Sequence, residues 1–174
     1  IYDNTVIMLM GDNGYFLGER GFAGKWLMHE ESIRVPLIVF DPQAGKKTRG
    51  ITVSEMALNI DLAPTILELA KVKIPPRIQG RSLVPLLKGR KPKWRTDFLY
   101  EYLWFKDDIP KCEGVRTERW KYIRYFEEKP LYEELYDLAG DPQERVNLAK
   151  DLNHQETLNC LRKRCNQLIE KAKR

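Results

Sequence analysis

An unbroken apolar run, Thr5 to Met10, ends abruptly in Gly11-Asp12-Asn13-Gly14. A continuous run of this length reads as a strand buried on both faces, which needs neighbours on both sides. Only one comparable run exists, Val35 to Phe40, with Pro36 near its start. Two such strands are too few for a doubly wound sheet. The chain, which starts at Ile1, therefore reads as the carboxyl-terminal part of a longer protein. Open α/β sheets bind ligands beyond the carboxyl ends of their strands. Asp12 and Asn13 place a carboxylate and an amide oxygen at that edge, and Lys25 follows thirteen residues after Asp12. That set suits a divalent cation holding an anionic ester. Taken alone, Asp-Asn-Gly is equally a plain strand-to-loop turn, and Lys25 an ordinary solvated lysine.

The following segment, Gly14 to Ser32, is long, glycine-punctuated and charged, which marks a functional loop. A helix is expected from Leu62 to Val72. Asp61 stands at its N-cap and Pro64 in its first turn, where a missing N–H costs little. Gly89 to Arg95 reads as a basic linker. Beyond it come short aromatic or β-prone runs separated by turn signals: Phe98–Leu103, Gly114–Thr117, Lys121–Phe126 and Leu131–Tyr136. These predict a small antiparallel sheet. The end predicts a polar helix from Asn153 to Lys173, with Leu158, Leu161, Cys165, Leu168 and Ile169 as its apolar stripe.

The 174 residues carry a net charge of +5. The densest basic stretch is Lys88, Arg90, Lys91, Lys93 and Arg95, either a solvated loop or an attractor of anionic substrate such as a sulfated glycan. No common nucleic-acid-binding motif is present, and no apolar run reaches membrane-spanning length. The cysteines, Cys112, Cys160 and Cys165, lack zinc-ligand spacing.

The block Asp12-Asn-Gly-Tyr-Phe-Leu-Gly-Glu-Arg-Gly-Phe-Ala-Gly-Lys25-Trp, followed by His29-Glu-Glu-Ser-Ile-Arg-Val-Pro36, resembles the sulfatase family of the alkaline phosphatase superfamily. Asp61-Leu-Ala-Pro-Thr, Gln79-Gly-Arg-Ser-Leu, Gly114-Val-Arg-Thr, Trp120-Lys-Tyr-Ile, Asp141-Pro-Gln-Glu and Asn147-Leu-Ala continue the resemblance in the same order, over residues 1 to 150. It implies the closing part of an alkaline-phosphatase-like α/β sandwich over residues 1–88. A small antiparallel-sheet plus helix subdomain would follow over 89–174. It also implies that Asp12 and Asn13 are calcium ligands and that Lys25 contacts the sulfate and stabilises the leaving oxygen. Upstream sequence would supply further acidic ligands, the rest of the sulfatase domain and the formylglycine nucleophile, since no Cys/Ser-x-Pro-x-Arg motif occurs here. Localisation by resemblance is periplasmic, secreted or lysosomal, and the chain alone is expected to be inactive.

Arg116, with Tyr102, Trp104 and Phe105, could line a glycan pocket or belong to the sheet. His29 suits a loop residue satisfied by hydrogen bonds better than catalysis, and Glu30, Glu31 and Arg34 are expected to pair structurally. Arg20 stands where many relatives have His, which leaves substrate subsites open. Two alternatives remain. One is a phosphodiester or phosphonate ester hydrolase of the same superfamily, although such enzymes often have Asp-His where this chain has Asp-Asn. The other is a non-catalytic fragment that binds anionic glycans.

Overall fold

The computed structural model describes residues 1–104 and 109–173. In chain order its main elements are β1 (Ile7–Met10), β2 (Phe16–Leu17), β3 (Ala23–Gly24), α1 (Glu30–Ile33), β4 (Leu37–Phe40), α2 (Leu62–Leu69), α3 (Val84–Leu87), β5 (Asp97–Tyr102), β6 (Cys112–Thr117), β7 (Trp120–Tyr125), β8 (Tyr132–Asp137) and α4 (Gln155–Ala172). They form two compact units, Ile1–Asp12 with Pro36–Arg95, and Asn13–Val35 with Thr96–Arg174. Among the described residues no helix is long and apolar enough to cross a membrane.

In the first unit β1 and β4 pair antiparallel, with Ile7 opposite Phe40 and Met10 opposite Leu37. The run expected to be buried on both faces is covered on one only. Ile7, Leu9 and Ile38 stay 49%, 60% and 59% exposed. The reason is local: among the described residues each strand has the other as its sole ladder partner.

Helix α2 stops at Leu69, short of the expected Val72, because Lys71 turns the chain at φ +59. That left-handed backbone costs a non-glycine residue about 1–2 kcal/mol. Asp61 precedes α2 as expected, but its buried carboxylate makes no cap bond. It accepts instead from the backbone N–H groups of Leu58 (2.8 Å) and Arg81 (2.7 Å) and from Arg95 Nη2 (2.6 Å). Thr65 Oγ1 donates to the Asp61 carbonyl at 2.6 Å and accepts from Leu83 N–H at 2.8 Å, which ties α2 to α3. A Cβ at Gly80 would lie 1.8 Å from the Ile60 carbonyl oxygen, so only glycine fits there. The Asp61-Leu-Ala-Pro-Thr and Gln79-Gly-Arg motifs are thus two sides of one clasp.

In the second unit β5 to β8 form a four-stranded antiparallel meander in sequence order. Alternation along the strands gives it two apolar faces. Val115, Tyr122 and Leu135 pack against Leu158, Leu161 and Cys165 of α4. Cys112, Ile123 and Tyr136 point the other way and enclose Met28, which is fully buried. Full burial of one such side chain contributes about 1.5–3 kcal/mol. Gly114 makes room for it, since a Cβ there would sit 2.6 Å from Met28 Sδ. The segment containing Asn13 and Lys25 is therefore anchored over one face of this sheet.

Candidate active site

The glycine-rich segment is more ordered than its composition suggests. Strands β2 and β3 pair as a small hairpin, Phe16 opposite Gly24, and α1 follows directly after His29. Gly14 fastens the start of the segment to its end. Its N–H donates to the Ser32 carbonyl at 2.8 Å, and a Cβ would stand 2.0 Å from the Glu31 carbonyl oxygen. The structural reason for this glycine is close backbone approach.

That clasp positions the two polar groups of the site. Lys25 Nζ donates to Asn13 Oδ1 at 2.7 Å. Asn13 Nδ2 donates to the Gly14 carbonyl at 2.7 Å, which orients the amide so that its oxygen faces the ammonium. Lys25 is half-buried and its Nζ lies 5.7 Å from the Trp26 ring centroid. Trp26 takes φ +85, an outlier for a bulky residue. Ser32 Oγ accepts from its N–H at 3.0 Å, and Tyr100 Oη donates to its carbonyl. Strain of this kind costs about 1–3 kcal/mol and persists only where surroundings over-determine the backbone. Here it fixes the residue next to Lys25.

Asp12 follows β1 and is exposed. Asp12 and Asn13 are hard oxygen donors of the type calcium prefers, but a calcium shell takes about six to eight oxygens. Among the described residues no group of three or more His, Cys, Asp or Glu could hold a metal ion. The donor type fits, and Asp12 and Asn13 by themselves fall short of a full shell.

Beneath the segment lies a buried ionic cluster. Glu144 has a fully buried side chain and accepts from the Glu30 N–H at 3.1 Å, with His29 Nδ1 at 3.1 Å and Arg20 Nη2 at 3.3 Å. Lys121, also fully buried, pairs with Glu144 and, at 2.8 Å, with Glu30. Arg20 further donates to the Gln143 and Glu144 carbonyls. Burial raises the Glu144 pKa, but the His29 hydrogen bond, the Lys121 ammonium and the Glu30 amide outweigh it and bring it down to about 2. Glu134 lies 3.6 Å from His29 Nε2, and burial shifts its carboxyl upward. Glu144 itself takes φ +52 in the turn begun by Asp141, whose carboxylate accepts from Val146 N–H at 2.9 Å.

Asn13 and Lys25 are therefore in direct contact, while Arg116 is engaged elsewhere. Its Nε lies 3.5 Å from Glu30 Oε1 and its Nη1 donates to the Thr117 carbonyl at 2.8 Å. Tyr102 is buried in the sheet core and Trp104 is 75% exposed, whereas Phe105 lies outside the described residues. His29 is 3% exposed, enclosed by Glu144, Glu134, Phe16 and Tyr136, and hydrogen-bonded through Nδ1 to Glu144, in keeping with a hydrogen-bonded loop residue. Glu30 and Glu31 form the expected pairs, but Arg34 is exposed and pairs with no described carboxylate. Arg20 turns inward to Glu144. Lys121 and Glu144 were not anticipated as supports of this segment. One signal was available: Lys121 alternates with Ile123 and Tyr125 along an apolar strand face.

The family model for the C-terminal part of N-sulphoglucosamine sulphohydrolase matches residues 18–171. The chain is 39% identical over 151 residues to an N-acetylglucosamine-6-O-sulfatase of Bacteroides thetaiotaomicron, covering 84% of this chain and 26% of that protein. Its structure resembles that of a protein in complex with its substrate D-glucosamine-2-N,6-O-disulfate, with a TM-score of 0.85 and 34% identity over 98% of this chain and 34% of the other. It also resembles a phosphonate monoester hydrolase of Agrobacterium radiobacter, with a TM-score of 0.85 and 25% identity over 98% of this chain and 36% of the other. The chain thus spans about a quarter to a third of the length of these proteins.

Proposed function

This chain belongs to the sulfatase family, as its N-sulphoglucosamine sulphohydrolase C-terminal part, and we propose on that premise that the whole protein hydrolyses sulfate esters of sulfated carbohydrates. The observation that carries the reading is the Lys25–Asn13 contact of 2.7 Å, held by a glycine clasp and a strained neighbour. Lys25 presents a fixed ammonium where negative charge grows on the sulfate and leaving oxygen, and a preorganised charge needs no reorganisation as the reaction proceeds. Asn13 holds that ammonium in place through its oriented amide. Asp12 and Asn13 would contribute ligands to a calcium ion whose other ligands come from the part of the relatives this chain does not span. When bound, the ion supplies Lewis-acid neutralisation of the ester. The nucleophile, formylglycine by family resemblance, would come from that same part, so residues 1–174 alone are expected not to turn over. Periplasmic, secreted or lysosomal localisation accords with this reading.

The test is turnover by the full-length protein of a glucosamine 6-sulfate and, in parallel, of a phosphonate monoester. Preferred sulfate hydrolysis, with Lys25→Ala lowering kcat by about 10²–10³-fold and leaving the fold intact, is the expected result. Preference for the phosphonate would move the protein to the second reading, which the likeness to the Agrobacterium hydrolase favours. Full activity in Lys25→Ala would remove Lys25 from the site.

A further inference from the structure

The net charge of +5 conceals a strong asymmetry. Residues 42–54 and 69–96 hold twelve of the thirty Lys and Arg and none of the 25 Asp and Glu, so the other residues carry 18 cations against 25 anions. The basic character of the chain is therefore confined to two segments, and all twelve of these cations lie in the first unit.

The two segments meet. Residues 45–48 form a tight turn, with Thr48 N–H and Thr48 Oγ1 both donating to the Gly45 carbonyl at 2.9 Å. Arg49 closes it by donating to the Ala44 and Pro42 carbonyls at 3.1 and 2.9 Å. Gly89 turns the other segment at φ +69, and a Cβ there would stand 3.3 Å from Thr48 Cγ2. Around this contact Lys46, Lys47, Lys88, Arg90, Lys91 and Lys93 are all exposed. None of the six pairs with a described carboxylate. By contrast, Arg49 is spent on its own turn and Arg95 on Asp61. Six like charges on two touching turns, with no described carboxylate paired to them, repel one another. Such a surface gains free energy by meeting a polyanion and releasing that polyanion's condensed counter-ions.

We propose that these six residues form one docking surface for a sulfated glycan chain, which rests on the reading of the protein as a hydrolase of sulfated carbohydrates. The surface would hold a polymeric substrate through sulfate groups other than the one being cleaved. A single-stranded nucleic acid fits less well, because it needs aromatic platforms for its bases. The aromatic residue of this region, Trp94, is half-buried and flanked by Arg81 and Arg95, at 5.8 and 5.2 Å from its ring centroid.

The experiment compares full-length wild type with Lys88→Ser/Arg90→Ser/Lys91→Ser/Lys93→Ser and, separately, with Lys46→Ser/Lys47→Ser from the other turn. Heparin affinity is measured against salt, and turnover is measured on a monosaccharide 6-sulfate and on a heparin oligosaccharide. The slope of log affinity against log salt should fall by about 3 for the fourfold variant and about 1.5 for the twofold one. Oligosaccharide kcat/KM should fall at least about tenfold while the monosaccharide value holds. An unchanged slope in both variants, or an equal loss on the two substrates, would overturn the proposal. So would wild-type binding of single-stranded DNA as tight as that of heparin. A protein inert on every sulfate ester, yet losing heparin through these substitutions, would sink the hydrolase reading while leaving the surface in place.

Discussion

Replacing Lys121 by Met removes the cation at the centre of the buried cluster while keeping the length of the side chain. Lys121 has no exposed side-chain surface, and its ammonium is held by charge rather than by well-aligned hydrogen bonds. Its loss leaves Glu30 and the fully buried Glu144, both paired with it, with fewer counter-charges. Breaking a buried pair by removing one partner costs about 3–5 kcal/mol. The carboxylate gives an independent figure. The Glu144 pKa lies at about 2 against an ordinary 4.5, and at about 1.4 kcal/mol per unit that shift corresponds to about 3 kcal/mol for the whole set of its partners. Because the folded pKa is depressed, this stabilisation is fully present above pH 4.5 and is lost as pH falls toward 2.

The expected outcome is a loss of about 3–5 kcal/mol at pH 7 in urea unfolding of the full-length protein, followed by tryptophan fluorescence. The gap between wild type and variant should narrow below pH 4.5. Lys121→Met/Glu144→Gln should cost less than the two single changes summed, since removing both charges strands neither. A loss under about 1 kcal/mol, or strict additivity of the pair, would refute the argument that these charges act as one buried unit.

Two further outcomes follow from the geometry. Gly14→Ala drives a methyl group to 2.0 Å from the Glu31 carbonyl oxygen. It should destabilise by at least about 1–3 kcal/mol and lower kcat of the full-length protein by displacing Asn13 from Lys25; wild-type activity and stability would contradict the clasp. Cys112 and Cys165 are buried, and burial pushes their thiols up to about 12 and about 11. In native protein at pH 8, iodoacetamide should therefore modify Cys160 alone of these three, as peptide mass mapping would reveal.

Where elements rest on short-range pattern, the reading from sequence matches the structure closely. The four β-prone runs become β5 to β8, each within about two residues, and the Leu158-to-Ile169 stripe becomes the packed face of α4. Boundaries slipped where a single backbone angle intervened. Lys71 adopts the left-handed conformation that glycine favours, and α2 ends just before it. Side-chain roles were less legible. Asp61 looked like a cap for α2 but serves Arg95 and the amides of Leu58 and Arg81, because two of these partners reach it from 20 and 34 residues further along the chain.

Strand and helix identity, the Asp12-Asn13 and Lys25 motif and the family were within reach of the sequence alone, since periodicity and motif order are properties of neighbours along the chain. Tertiary structure alone decided three things. It put the Asn13–Val35 segment with the sheet of the second unit, over the face that holds Met28. It turned His29-Glu30, Lys121 and Glu144 from three unrelated motifs into one ion cluster. It brought the turns at Thr48 and Gly89 together into one cationic surface. In each case the deciding contact joins residues dozens of positions apart. Whether a charge meets its partner or is left facing water depends on burial in the folded chain, which no local pattern encodes.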